Sequence, residues 1–333
     1  IEARKKVANA LNVTPDEIYF TSGGTEANNT AVLGIAEAYK KRGNKVITSN
    51  IEHPSVADSF KELEARGFEV VTLNADEKGY INLEELEREV DENTILVSIM
   101  YVNNEVGTVQ PIEKMAEIIK SKNKNCIFHT DCVQAFGKHP INGKHFDAIS
   151  VSGHKIHCPK GVGVLYLRKG VRAKNLHFGG GQEKGFRPGT ENTGSIVAMG
   201  LGAEIAKRDL EKNFEKVKAV KEKLMTICDI LPDVYVNGDS ENGSPYILNL
   251  SFEGVKGEVL LHALENYEIY VATGSACSSR AKEKKKIVDY LIDGRGSSTV
   301  RFSFDCENTV EEAEKAIEVL KEQVPMLRMF QPR

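Results

Sequence analysis

Apolar residues recur along the first two hundred positions in two alternating rhythms. Val7, Ala8 and Leu11 share one face and predict a helix over 1–11. Short apolar runs at 16–20, 45–49, 69–73, 94–100 and 126–129 have strand length and β-branched content. Helical spacing returns between them, from Thr25 to Tyr39 and over 55–66, 82–90 and 111–121. Two further strands are expected at 146–151 and 161–167, separated by Ser152-Gly153-His154-Lys155. This alternation predicts a mostly parallel sheet with helices on both faces, an α/β fold. A long helical stretch over 193–230, broken between 208 and 212, ends the pattern. Beyond it, strands at 246–252, 269–272 and 298–304 and helices at 257–266 and 309–323 predict a separate α+β domain. The expected division is 1–208 for a large domain and 209–333 for a smaller C-terminal one.

In an open parallel sheet, ligands gather beyond the C-terminal strand ends. His53, Asn104, Asp131, Gln134 and Lys155 all follow predicted strands. Each has a plainer alternative: His53 and Asp131 as caps, Asn103-Asn104 as turn formers, Lys155 as a solvated loop residue. A desolvated lysine loses proton affinity and can form a Schiff base with an aldehyde cofactor. If Lys155 holds such a cofactor with a pyridine ring and a phosphate, Asp131 suits the ring nitrogen. Gln134 suits the ring oxygen and His53 the ring face. The helix start at Gly24-Thr25, with Ser152 and His154, suits the phosphate. Arg301 interrupts an apolar strand and offers a two-pronged carboxylate clamp, or else a strand-edge surface charge.

The 333 residues carry a net charge of −4, which gives no global attraction to nucleic acid or membrane, and no apolar run has the length of a membrane span. The six cysteines form no CxxC pair, against a zinc site or disulfide framework and for a reducing, cytoplasmic setting. Cys277 stands apart, in a Gly/Ser/Ala loop followed by Arg280, Lys282, Lys284, Lys285 and Lys286. Nearby positive charge favours its thiolate, the form of a nucleophile, although a free thiol beside a solvated basic face is the plainer alternative. The chain opens inside a helical pattern without an initiator Met, so a preceding segment is expected.

Eight stretches, TSGGTEANN, IEHPSV, VNNEVGTVQPI, HTDCVQAFGK, SGHKIHCPKGVGVLY, GGGQEKGFRPGTEN, GSACSS and VRFSF, occur in order between residues 19 and 304. Together they resemble the NifS/IscS-type cysteine desulfurases of the class V aminotransferase group. The resemblance implies the fold type I of pyridoxal 5'-phosphate enzymes and a homodimer. It implies Lys155 as Schiff-base lysine and proton shuttle, Asp131 at the pyridine nitrogen, Gln134 at the ring oxygen and His53 stacked on the ring. Gly24, Thr25, Ser152 and His154 would hold the phosphate, with Thr190 reaching the neighbouring subunit's cofactor. Asn104 and Arg301 would bind the carboxylate of L-cysteine. Cys277 would take the sulfur as a persulfide, leaving alanine, and pass it to an iron–sulfur scaffold or tRNA-thiolation partner. The family places a Tyr-Leu-Asp-Asn-Ala-Ala-Thr-like strand ahead of the first helix. This chain departs from the family in the lysine-rich run after Cys277 and in Phe304-Asp305-Cys306. A selenocysteine lyase, an aminotransferase or a non-catalytic sulfur carrier would share parts of this pattern.

Overall fold

The computed structural model describes residues 1–273, 287–291 and 295–330, in two compact units. The first holds residues 1–74, 81–102 and 110–210. Its elements run α1 (Glu2–Leu11), β1 (Ile18–Thr21), α2 (Gly24–Tyr39), β2 (Lys45–Ser49), α3 (Pro54–Ala65) and β3 (Glu69–Leu73). There follow α4 (Leu83–Glu89), β4 (Thr94–Ser98), α5 (Ile112–Lys122), β5 (Ile127–Asp131), β6 (Ala148–Ser152), β7 (Gly163–Leu167) and α6 (Thr193–Arg208).

The strands form one seven-stranded sheet in the order β1-β7-β6-β5-β4-β2-β3. From β6 through β5, β4 and β2 to β3 all pairings are parallel. The strands β2, β4, β5 and β6 are buried along their whole length, polar residues such as Thr48, Ser98, His129 and Ser150 included. β7 runs antiparallel to β6, and β1 antiparallel to β7. Two reversals cancel, so the C-terminal end of β1 lies on the same edge as those of β5 and β6. Ala27, Ala31, Val32 and Ile35 of α2 pack into the core over this sheet with Leu96, Ala148 and Leu165.

The second unit holds, among the described residues, 75–80, 103–109, 211–273, 287–291 and 295–330. After α7 (Leu210–Met225) and α8 (Ile227–Ile230) come β8 (Val234–Asn237), β9 (Ile247–Phe252), α9 (Gly257–Glu265), α10 (Ile287–Leu291), β10 (Thr299–Ser303) and α11 (Val310–Met329). The three strands form an antiparallel sheet in the order β10-β9-β8. Its core joins Leu248, Leu250 and Phe252 with Leu260 and Leu264 of α9 and Ile317, Leu320 and Val324 of α11.

The structure corrects several expectations. The stretch 269–272 is no strand: only Ala272 bridges, to Arg301. β8 follows Asp233, whose φ of 55° is left-handed, and was not expected. The helical stretch 193–230 breaks at Asp209, within the expected interval, and a second time at Thr226, so that it is three helices. Asn104, assigned to the first domain by a boundary at 208, packs with the second unit.

Candidate active site

Asp131 ends β5 and is buried. Its Oδ1 accepts from the Val133 amide at 2.9 Å and its Oδ2 from Asn28 Nδ2 at 2.7 Å. Burial pushes its carboxyl above the ordinary range, while those two bonds and the nearby His53 pull the other way. A cation placed against it would favour the charged form. Gln134 lies half-buried in the turn three residues on.

Lys155 sits half-buried in the single 3-10 turn after β6, the parallel neighbour of β5. Buried Ser152, the last residue of β6, pairs through Oγ with Nδ1 of exposed His154 at 2.8 Å. The start of α2 faces Ser152. A Cβ on Gly24 would lie 2.8 Å from Val133 Cγ2 and 3.4 Å from Ser152 Cβ. One on Gly163, where β7 begins, would lie 2.5 Å from the Gly23 carbonyl carbon. Only glycines let the first turn of α2 come this close to the sheet edge. The free amides of that turn, Thr25 at its exposed outer side and the Ser152 hydroxyl form an anion cradle.

His53 caps α3: Nδ1 accepts from the Ser55 amide at 3.1 Å and pairs with Ser55 Oγ at 2.8 Å. Nδ1 is therefore the acceptor, and the neutral ring carries its proton on Nε2. Burial, opposed by Asp131 and aided by Lys155, holds His53 below its ordinary value, in the same sense. The capping alternative for His53 is thus real, and it leaves the ring half-buried.

Glu52, next in sequence, lies buried with Oε1 accepting from Ser49 Oγ at 2.5 Å and Met100 N at 2.9 Å. Burial pushes it from 4.5 to about 8. Thr190 is exposed on the rim of a cavity of about 240 Å³ lined also by Ser22, Gly161 and Arg187. The loop before it is pinned by Glu183, whose carboxylate takes Arg4 Nη2 at 2.6 Å and the Phe20 amide at 2.8 Å. Arg187 Nε adds a 2.8 Å bond to Glu26 in the first turn of α2. Asn28, Ser55, Glu52, Glu26 and Glu183 carry no role in the sequence reading. An asparagine inside a helix at 28 is the one local signal, because its helix propensity is poor.

In the second unit Arg301 projects from β10, and Nη1 donates to the Asn104 carbonyl at 2.9 Å. Its backbone exchanges bonds with Ala272, N to O at 2.6 Å and back at 3.1 Å. Arg301 Nε and Asn104 Oδ1 are both buried without a partner among the described residues. Burial lowers the guanidinium's proton affinity, with Glu105 opposing. A buried guanidinium with an unused donor suits a carboxylate ligand. Cys277 lies outside the described residues.

Residues 1–316 match the family Aminotransferase class-V. The chain belongs to that family, in the NifS/IscS-type cysteine desulfurase group. It is similar to a NifS/IcsS protein homolog of Lactobacillus delbrueckii, 44% identical over 96% of this chain and 84% of that protein. It is 40% identical to the cysteine desulfurase IscS of Clostridium botulinum, over 99% of this chain and 84% of that protein. Its fold follows the solved structure of a NifS-like protein with a TM-score of 0.91 and 39% identity, covering 98% of this chain and 87% of that one. An apo cysteine desulfurase from Thermococcus onnurineus superposes with a TM-score of 0.87 at 26% identity, covering 98% of this chain and 84% of that one. Family membership makes this desulfurase a pyridoxal-phosphate enzyme in type. The residues fit the cofactor: a buried acid, a lysine one strand away and a glycine-lined anion cradle meet at one sheet edge. Among the described residues no helix is long and apolar enough to cross a membrane.

Proposed function

We propose that this desulfurase binds pyridoxal 5'-phosphate on Lys155 and acts on L-cysteine as a cytoplasmic homodimer. The observation that carries the reading is the meeting of Asp131, Lys155 and the Gly24–Ser152 cradle at the C-terminal ends of adjacent strands. Gly24, Thr25, Ser152 and His154 hold the phosphate, with Thr190 contributed to the neighbouring subunit. Asp131 faces the ring nitrogen, Gln134 the ring oxygen and His53 the ring face. When bound, the cofactor supplies a protonated ring that accepts the electron pair left as Cα loses its proton.

The chain's own residues do the rest. Arg301 and Asn104 bind the substrate carboxylate. Lys155 Nζ takes the Cα proton. The Cys277 thiolate attacks the substrate sulfur, so an S–S bond forms as the Cβ–S bond breaks. The electron pair of that bond stays with Cβ, which takes a proton and leaves as the methyl group of alanine. The persulfide on Cys277 then passes its outer sulfur to an acceptor protein for iron–sulfur assembly or tRNA thiolation.

Two variants test the assignment. Lys155→Ala should lose the visible absorbance of the bound cofactor. Cys277→Ser should retain that absorbance and lose sulfide release from cysteine by about a hundredfold or more. Full sulfide release from Cys277→Ser would remove Cys277 from the mechanism.

A further inference from the structure

Asn28 is 1% exposed, in the interior of α2 one turn beyond Gly24. Its Nδ2 donates twice, to Asp131 Oδ2 at 2.7 Å and to Ser55 Oγ at 2.9 Å. Ser55 Oγ in turn lies 2.8 Å from His53 Nδ1, which already accepts the Ser55 amide. The Ser55 hydroxyl must therefore donate to the imidazole and accept from Asn28. One directional chain results: Asn28 donates a hydrogen bond to Asp131 on one side and another to Ser55 on the other, and Ser55 donates to His53. Both hydrogens of the amide are committed, and neither receiving atom has a competing proton to offer back.

We infer that Asn28 is a positioning residue that fixes the Asp131 carboxylate and couples it, through Ser55, to the orientation of His53. The inference rests on the proposed cofactor site. Asn28 does not touch the reacting atoms; it acts through two residues that do. With Oδ1 held by the Val133 amide and Oδ2 by Asn28, the carboxylate cannot swing about its Cα–Cβ bond. Each oxygen keeps a lone pair for the ring nitrogen. Both donors also favour the ionised acid in a buried setting that otherwise disfavours it. Because Asn28 and Gly24 stand on one helix, the ring-nitrogen acid and the phosphate cradle share a rigid support. An isosteric leucine would suit this buried helix position better if packing were its only duty.

The test is a cofactor titration read by visible absorbance on four apoproteins: wild type, Asn28→Ala, Asp131→Asn and the double variant. Asn28→Ala should weaken cofactor binding by about tenfold to a hundredfold, the range for a hydrogen bond to a charged group. In the Asp131→Asn background the same change should weaken binding clearly less than in wild type, since the charged acceptor is gone and only the Ser55–His53 branch is left to disturb. The pH dependence of the bound cofactor's absorbance should also shift in Asn28→Ala, which a purely structural defect would leave alone. Equal factors in both backgrounds, or an Asn28→Ala protein that binds like wild type, would overturn the role. Asn28→Ser, which keeps a donor but not the reach, serves in the same cycle with the same outcomes if the alanine variant does not fold. A wild-type apoprotein that takes up no cofactor would instead remove the functional reading, and this inference with it.

Discussion

Glu52 shows how far burial alone can set the state of a residue. Its Oε1 accepts from Ser49 and Met100, so the proton of the neutral acid sits on Oε2, which has no partner among the described residues. Folding raises its value from 4.5 to about 8. The protonated form is therefore favoured in the native state, and the stability it contributes is complete below 4.5 and is lost as pH rises through 8. Between pH 4.5 and 7 this amounts to roughly 3 kcal/mol. Glu52→Gln keeps the acceptor for Ser49 and Met100 and cannot ionise. Urea unfolding measured from pH 5 to 8.5 should show a falling stability in wild type and a much flatter profile in the variant. An unchanged slope would mean that Glu52 titrates normally. Residues of this kind were the least legible ones. Asp131 and Lys155 announce themselves by following strands in the sequence. Glu52 looks like any loop acid until Ser49 and Met100 close over it, and Asn28 looks like a weak helix former until Asp131 arrives from 103 residues away.

At the scale of elements, the start of α2 has the clearest dependence on one atom. Adding a Cβ at Gly24 places it 2.8 Å from Val133 Cγ2, inside the space between helix and sheet edge. Alanine also raises helix propensity over glycine by up to about 1 kcal/mol. Gly24→Ala should therefore leave the melting temperature of the apoprotein level or slightly higher, while weakening cofactor binding by about tenfold as the amides move off the anion. A fall in both would show that Gly24 serves folding rather than the cradle. The elements around it were legible because β2, β4, β5 and β6 each carry adjacent buried apolar residues (Val46-Ile47, Ile95-Leu96-Val97, Ile127-Phe128, Ala148-Ile149) and α-helical spacing fills the gaps. The C-terminal unit was less so. β8 is four residues with mixed burial, too short for a periodic signal, whereas the β-branched 269–272 has only one bridging residue. Strand propensity there reflects a segment tied to Arg301 through Ala272 rather than a sheet member.

For the whole molecule, the decisive question is what covers the outer face of α6. Val197, Leu201 and Ile205 recur every fourth residue and are 61%, 51% and 40% exposed. Met199 and Ala203, on the opposite face, are fully buried, and α6 packs against α1. A helix with apolar residues on both faces is unusual on a free surface. The proposed homodimer gives this stripe a partner, and it needs Thr190 near another subunit's phosphate. Thr190 lies three residues ahead of α6, on a loop pinned by Glu183 and Arg187, so it would move with that helix rather than independently. Interface and active site would then fail together. Leu201→Glu places a charge in the middle of the stripe, at a desolvation cost of several kcal/mol if the face is covered. Sedimentation velocity at micromolar concentration should show wild type as a dimer and the variant as a folded monomer. The monomer should also bind cofactor more weakly, because Thr190 is withdrawn with the partner. A variant that stays dimeric would place the interface elsewhere. One that becomes monomeric with unchanged cofactor affinity would remove Thr190 from the neighbouring site while leaving the dimer intact as a proposal.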